Sequence, residues 1–421
     1  MSKGKKSLIL ITNHFPYGQG EAFLLSEMPH LVQQFDKVIV LARDVKSDHL
    51  RPDVEGFSHQ RINPQSSFGE KLIALGLLIR HFSKINQYLS EERRYLRSRH
   101  KKVTSAIRKV MWHDLVKAIT TAWHIRKAIR EHQLTGEVVL YSYWLTSSAL
   151  ALTFVDDRHL TIRSISRAHG GDVHEFRNAL RYLSFRYTLA KHLDHIYTIS
   201  ENGKQHLQQS LPAELAAKIS VSRLGSKSPA TVPAKNSNQL IILSCAFMVA
   251  VKRIDLLIES LAKIEDLSIR WIHIGSGPLE DALQAKANTL LSPKKNITYS
   301  FEGHKEHHEL MAFYQQQYVD LFVNTSSSEG IPVTMMEAQS FGIPVLAPAV
   351  GGIPEIVDDT TGRLFQPDAT PDVIAHSIKE LLTLPAAATL ALRENARKNW
   401  LNRYNADQNF SSFVAEIANL S

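Results

Sequence analysis

The chain has 421 residues, 44% apolar and 21% charged, with a formal net charge of +8. That usage is ordinary for globular proteins and excludes wholesale disorder, and the length suits two or three domains. A single cysteine, Cys245, excludes an intrachain disulfide and points to a reducing, cytoplasmic setting.

The basic start, Met1 to Lys6, leads into an apolar stretch, Leu8 to Ile11, that is too short for a signal peptide. Ser7 to Asn13 reads as a buried strand, broken by Pro16, Gly18 and Gly20. Helical spacing follows over Glu21 to Phe35, then a second strand over Lys37 to Ala42. Strand, turn, helix and strand in succession begin a parallel doubly wound sheet. Leu72 to Ile79 is the longest apolar run, far below the ~20 residues of a membrane-spanning helix. Lys71 to Gln133 reads as helices rich in Leu, Ile and Arg, and strands return over Glu137 to Tyr143, Thr161 to Ala168 and Asp194 to Ser200.

Gly225 to Gln239 is rich in Ser, Pro, Ala and Lys without apolar periodicity, which marks a domain boundary. Beyond it the alternation restarts, with strands over Leu240 to Cys245, Ser268 to Ile274, Ile297 to Phe301, Leu321 to Asn324 and Val345 to Ala347. Helices are expected between them, and the end of the chain, Pro371 to Leu420, is mostly helical. The expected fold class is therefore α/β, with two Rossmann-like halves whose strand-end loops can face one cleft. The expected domains are 1–225, 226–400 and a C-terminal helix, 401–421, returning to the first domain.

The densest motif is Ser326-Ser327-Ser328-Glu329-Gly330-Ile331-Pro332-Val333-Thr334-Met335-Met336-Glu337, directly after a strand. Pro332 is expected near the first helical position, where its missing N–H costs nothing. The amides of Gly330, Ile331, Val333 and Thr334 would then favour an anion at the helix start. Glu329 and Glu337 flank that start as hydroxyl acceptors, or else Ser328 or Glu329 merely caps the helix and Glu337 is solvated.

Three other loops carry candidates. Val251-Lys252-Arg253-Ile254-Asp255 puts two cations at a helix entrance, suited to a departing diphosphate. Arg167-Ala168-His169-Gly170-Gly171-Asp172 offers an imidazole whose charge is expected to adjust near neutral pH, with Asp172 as an acceptor-site partner or a cap. Pro16-Tyr17-Gly18-Gln19-Gly20-Glu21 lets backbone approach a ligand closely. Gly275 and Gly277 lack the third glycine and the ribose acid of a dinucleotide fingerprint. His304, His307 and His308 crowd together without a cysteine or a clear further ligand, so no metal is expected, and no Asp-x-Asp occurs.

The two-glutamate segment resembles that of glycosyltransferase family 4, retaining nucleotide-sugar-dependent enzymes with the GT-B fold. The resemblance extends over Asp320 to Asn324, Ala338 to Val345 and Gly351-Gly352-Ile353-Pro354-Glu355, most of the second half. It implies that Glu329 meets donor-sugar hydroxyls, Glu337 the ribose, Lys252 the phosphates and His169 the reacting sugar. Gly18 and Gly20 would lie by donor phosphate and acceptor, and Gly275 near the base. Where many members carry an arginine, five residues before Lys252, this chain has Phe247. The resemblance further implies a UDP- or GDP-linked donor without a metal, a glycan or lipid-linked glycan acceptor, and polysaccharide synthesis. A nucleotide-sugar epimerase and a non-catalytic binding module are the alternatives.

The charge is uneven: Lys71 to Arg130 holds fifteen Lys and Arg against three acids, so it carries +12 and the rest of the chain −4. With Leu75, Ile79, Phe82, Trp112 and Trp123 interleaved, the segment is expected to dock on an anionic membrane surface or to form a solvated helical subdomain. No nucleic-acid recognition motif accompanies the charge.

Overall fold

The structure is a computed structural model that describes residues 5–18, 20, 21, 23–45, 49–51, 55–62 and 68–420. Residues 1–4 of the basic start and Gln19 of the glycine-rich loop lie outside it, as do the side chains of Lys71 and Leu72. The chain divides into two compact units, Met1–Arg223 with Asp407–Ser421, and Leu224–Ala406. The crossover thus falls at Ala406 and Asp407, beyond the expected 400/401 boundary.

In the first unit the strands are β1 (Lys6–Thr12), β2 (Lys37–Ala42), β3 (Ser58–Arg61), β4 (Gly136–Ser142), β5 (Leu160–Ala168), β6 (His195–Thr198) and β7 (Ile219–Val221). They form one parallel sheet in the order β3-β2-β1-β4-β5-β6-β7. A parallel sheet is covered on both faces, so its central strands can be continuously apolar. Leu8, Ile9, Leu10 and Ile11 are all fully buried. They divide between two packed faces, Ile9 and Ile11 toward one cluster and Leu8 and Leu10 toward the other. Phe413, Val414, Ile417 and Ala418 of the last helix, Ala406–Ala418, complete the second face.

The second unit repeats the plan with β8 (Leu240–Cys245), β9 (Ile269–Ile274), β10 (Ile297–Phe301), β11 (Leu321–Val323), β12 (Val345–Pro348) and β13 (Gly362–Phe365). Their order is β10-β9-β8-β11-β12-β13, again parallel throughout. In each sheet the order reverses once, between β1 and β4 and between β8 and β11. Loops leaving the carboxyl ends of such a pair splay apart and leave a crevice for ligand.

The basic segment is three helices, Phe68–Arg80, Phe82–Ser98 and Ser105–Glu131. Its apolar residues divide. Tyr88, Leu96, Ile107, Met111, Leu115 and Ile119 are core, whereas Leu75, Ile79, Phe82 and Trp112 are exposed. Among the described residues no helix is long and apolar enough to cross a membrane.

Candidate functional site

In the second unit the reversal point gathers four loops. After β8, the 3-10 turn Ala250–Lys252 ends on Arg253, a left-handed residue at φ +49°. Thr325, just past β11, donates its hydroxyl to the carbonyls of Lys252 (2.9 Å) and Arg253 (2.8 Å), and the Ser327 amide donates to Val251 O (2.8 Å). These bonds zip the two loops together and bring Lys252 Nζ to 2.6 Å from Glu329 Oε1. The pair is only partly shielded, with 24% of the lysine and 11% of the glutamate side chain exposed.

Two glycine pairs set the loop positions. A Cβ on Gly351 (φ +55°) would lie 1.9 Å from Glu329 O, and one on Gly352 would lie 2.6 Å from Gly330 O. The Gly352 amide donates to Gly330 O at 2.9 Å, so the loop after β12 seats the Glu329 backbone. Gly275 and Gly277, after β9, likewise press on the backbone of Ala246 and Met248, where a Cβ would meet carbonyl or amide atoms at 2.0 and 2.7 Å.

Val333–Ser340 is the helix that follows Glu329, and Pro332 is its N-cap (φ −72°, ψ 127°), one position earlier than the sequence reading placed it. The amides of Val333 and Thr334, in the first turn, have no intrahelical acceptor. Gly330 and Ile331 precede the cap, and the Ile331 side chain is buried in the core. Glu337 is 3% exposed, not solvated, and its Oε1 lies 3.2 Å from His307 Nε2. The Glu337 carboxylate beside it raises the His307 pKa, against a smaller opposing effect of burial. Arg253 Nη1 donates to Pro367 O at 2.7 Å, and the side chain is half-buried. Phe247 is 57% exposed at the place of the missing arginine.

The first unit builds its reversal point differently. Glu21 (φ +58°) accepts from the amides of Asn13 (2.8 Å), His14 (2.8 Å) and Phe15 (2.7 Å), and from Trp144 Nε1. One carboxylate therefore ties the loop after β1 to the loop after β4. Arg51 clamps the glycine turn by donating to Gly18 O (2.6 Å) and Gly20 O. Gly18 is left-handed at φ +60°, and a Cβ on Gly20 would meet the His14 ring at 2.9 Å.

His169, after β5, packs its ring 4.5 Å from Trp144 and 4.7 Å from Tyr143. Both ring nitrogens are buried and lack a hydrogen-bond partner. Burial, then the nearby Arg167 charge, pushes its pKa down to about 3, so this histidine stays neutral and does not switch near neutral pH as the sequence suggested. Asp172 makes the capping contacts that the sequence offered as one of its two readings. Its carboxylate is buried and takes the amides of Leu145 (2.6 Å) and His169. Beneath the loop lie Arg167 and Glu27, both fully buried, 3.3 Å apart.

Glu21, Trp144, Thr325 and the glycine pair at 351–352 escaped sequence reasoning as positioning groups, and His307 was weighed only for metal. The spacing of Glu21 six residues after Phe15 carries no motif signal, because the carboxylate returns through a left-handed turn. Among the described residues no group of three or more His, Cys, Asp or Glu is arranged to hold a metal ion.

Residues 230–399 match the family described as glycosyl transferases group 1. The matched stretch lies within the second unit, Leu224–Ala406. A protein named as a colanic acid biosynthesis glycosyltransferase, WcaL, of Escherichia coli is 27% identical over 252 residues. That match spans 56% of this chain and 59% of the relative's length. Sucrose-phosphate synthase of Thermosynechococcus elongatus superposes with a TM-score of 0.67 at 17% identity, covering 98% of both chains. Anabaena HepE, solved with UDP and glucose, gives 0.63 at 16% identity, covering 97% of this chain and 98% of that one. At such identities the likeness is one of fold, the GT-B class. The matched stretch contains the Lys252–Glu329 pair, Glu337 and all three of its glycine-lined loops.

Proposed function

We propose that the chain is a retaining glycosyltransferase that moves a hexose or related sugar from a UDP- or GDP-linked donor to a glycan or lipid-linked glycan hydroxyl. The observation that carries this is the Lys252–Glu329 pair, 2.6 Å apart, at the sheet reversal of the stretch that matches group 1 glycosyl transferases. A diphosphate entering there takes over Lys252 and the first-turn amides of Val333 and Thr334, and it frees Glu329 to accept from sugar hydroxyls. Glu337, preset by His307, accepts from the ribose. The developing charge on the leaving phosphate is met by fixed donors, each commonly worth ~2.7–4 kcal/mol of barrier. The acceptor hydroxyl attacks the anomeric carbon on the face the diphosphate leaves, which itself takes the acceptor proton. No protein carboxylate acts as a nucleophile. Lys252 and the amides supply the charge that a metal would otherwise bring, so activity is expected to survive EDTA. In the first unit, neutral His169 suits an uncharged hydroxyl.

The relative named for colanic acid biosynthesis and the HepE structure with UDP and glucose support a role in cell-surface polysaccharide synthesis. The test is a panel of UDP- and GDP-sugars with glycan acceptors, read by acceptor-dependent release of nucleoside diphosphate. An epimer formed from donor alone would overturn transfer in favour of epimerisation.

A second reading concerns location, on the cytoplasmic face of a membrane. Leu75 and Ile79, four apart on one helix, and Phe82 at the start of the next are 56%, 72% and 66% exposed, beside exposed Arg80. Such a stripe inserts at an interface and its cations favour anionic lipid. Sedimentation with anionic vesicles, weakening with salt, is the expected result; equal recovery with neutral vesicles contradicts it.

A further inference from the structure

A cavity of about 240 Å³ in the first unit, outside the loops described above, lies between the helix Phe82–Ser98 and the segment that runs on from the His169 turn. Arg99, Lys101, Arg181 and Arg186 line it, against one lining carboxylate, Glu175. Four like charges around one space repel each other unless something negative fills it. The acids nearby are hydrogen-bonded, although Glu92 Oε2 lacks a partner, and Asp172, Glu175 and Glu92 only partly offset the buried Arg186 charge. Glu175 lies 2.6 Å from His206 Nε2, Glu92 accepts from the Tyr182 hydroxyl at 2.8 Å, and Asp172 takes its two amides.

Arg186 is the sharpest sign. It is 3% exposed, donates from Nη2 to Asp172 O, and leaves Nε and Nη1 without hydrogen-bond partners. A buried guanidinium with two unmet donors costs stability unless a ligand answers them. Arg181 is held in the left-handed region at φ +46°, a conformation that persists where surroundings impose it. Next to the cavity is a second hollow of about 420 Å³ that shares Tyr95 and Arg99 with it. Its wall includes Tyr187, stacked on Tyr95 at 6.0 Å, with Leu211 and Pro212 beside Glu91, Arg94 and Lys191. A cationic pocket beside one that mixes aromatic rings with polar and charged groups suits a ligand with an anionic group joined to a sugar ring.

We propose that Arg99, Lys101, Arg181 and Arg186 form a subsite for a phosphoryl group carried by the acceptor. Planar guanidinium forks match phosphate oxygens two at a time, and three arginines with a lysine suit a dianion better than a single carboxylate. The proposal deepens the transferase reading and rests on it for the word acceptor. The subsite itself rests on the cavity.

The experiment is calorimetric titration of the full chain with inorganic phosphate at constant ionic strength. Three proteins are compared: wild type, Lys252→Ala, and the double variant Lys101→Gln with Arg181→Gln. These two positions are chosen because buried Arg186 also braces the fold, and circular dichroism checks that the double variant is folded. Phosphate binding is expected to survive Lys252→Ala and to weaken at least ~10-fold in the double variant, as loss of charge-assisted bonds predicts. No binding to wild type, or binding undiminished in the double variant, overturns the subsite. Bound phosphate should be displaced by glucose 1-phosphate and not by phosphatidylglycerol vesicles. Any other pattern overturns the assignment to the acceptor. A wild type that transfers sugar but binds no phosphate defeats the subsite alone; a wild type that binds phosphate but transfers from no nucleotide sugar defeats the transferase reading alone.

Discussion

The same topological position is built with opposite chemistry in the two units. At the β8/β11 reversal, Lys252 and Glu329 satisfy each other through side chains that a ligand can separate. At the β1/β4 reversal, Glu21 is spent on three backbone amides and an indole, and His169 is buried and neutral. In the proposed reaction the first arrangement exchanges partners, whereas the second fixes a shape. A replaceable ion pair suits a diphosphate, whereas a fixed loop that presents a neutral imidazole suits a hydroxyl. The contrast explains why one unit shows recognisable charged motifs and the other shows mainly glycines and capping groups.

The contrast can be broken by mutation. Glu329→Ala should lower kcat by about 10²–10³-fold with folding intact, the usual scale for one group aimed at the reacting centre. Turnover near wild type would remove the pair from the reaction. Glu21→Ala should act on stability first, by about 2–3 kcal/mol, because several donors lose their acceptor at once. A thermal scan showing unchanged unfolding would mean the loop does not depend on that carboxylate.

Two titrations sharpen the comparison with smaller effects. His169 should show no imidazole titration by NMR across about pH 5–8, and a sigmoid there would contradict its burial. The unfolded chain takes a proton on His169 below about 6.5 that the folded chain refuses until about 3, so this group costs stability as pH falls through that window. His307 works in the other sense. Its folded pKa lies above 6.5, so its pairing with Glu337 stabilises fully below that value and is lost as pH rises through the folded pKa. His307→Gln should flatten the difference in melting temperature between about pH 6 and about pH 8.5, a small effect because the ring is half exposed. Persistence of the same difference in the variant would assign it elsewhere.

Much of the fold was legible because buried parallel strands write continuous apolar runs, as Leu8 to Ile11 and Leu240 to Leu243 do. Three strands were not. Ser58–Arg61 is a polar edge, Ile219–Val221 has three residues, and Gly362–Phe365 opens on glycine and arginine. None carries enough apolar pattern to stand out. In the site, Lys252, Glu329 and Glu337 were visible because their charges sit at helix starts after strands. Glu21, Thr325 and His307 were not, since each acts through a contact between loops distant in sequence. Asp172 and Arg253 were singled out by residue type and position, whereas their contacts to the backbone of other loops could not be read from the sequence.

The exchange of partners at Lys252 is the centre of this account, and nucleoside diphosphate affinity tests it most directly. UDP or GDP, whichever the wild type binds, should bind Lys252→Ala at least ~10-fold more weakly, as loss of a charge-assisted contact predicts. It should bind Glu329→Ala as tightly as wild type or tighter, because the competing carboxylate is gone. Equal weakening in both variants would contradict the exchange and make the ion pair part of the bound state.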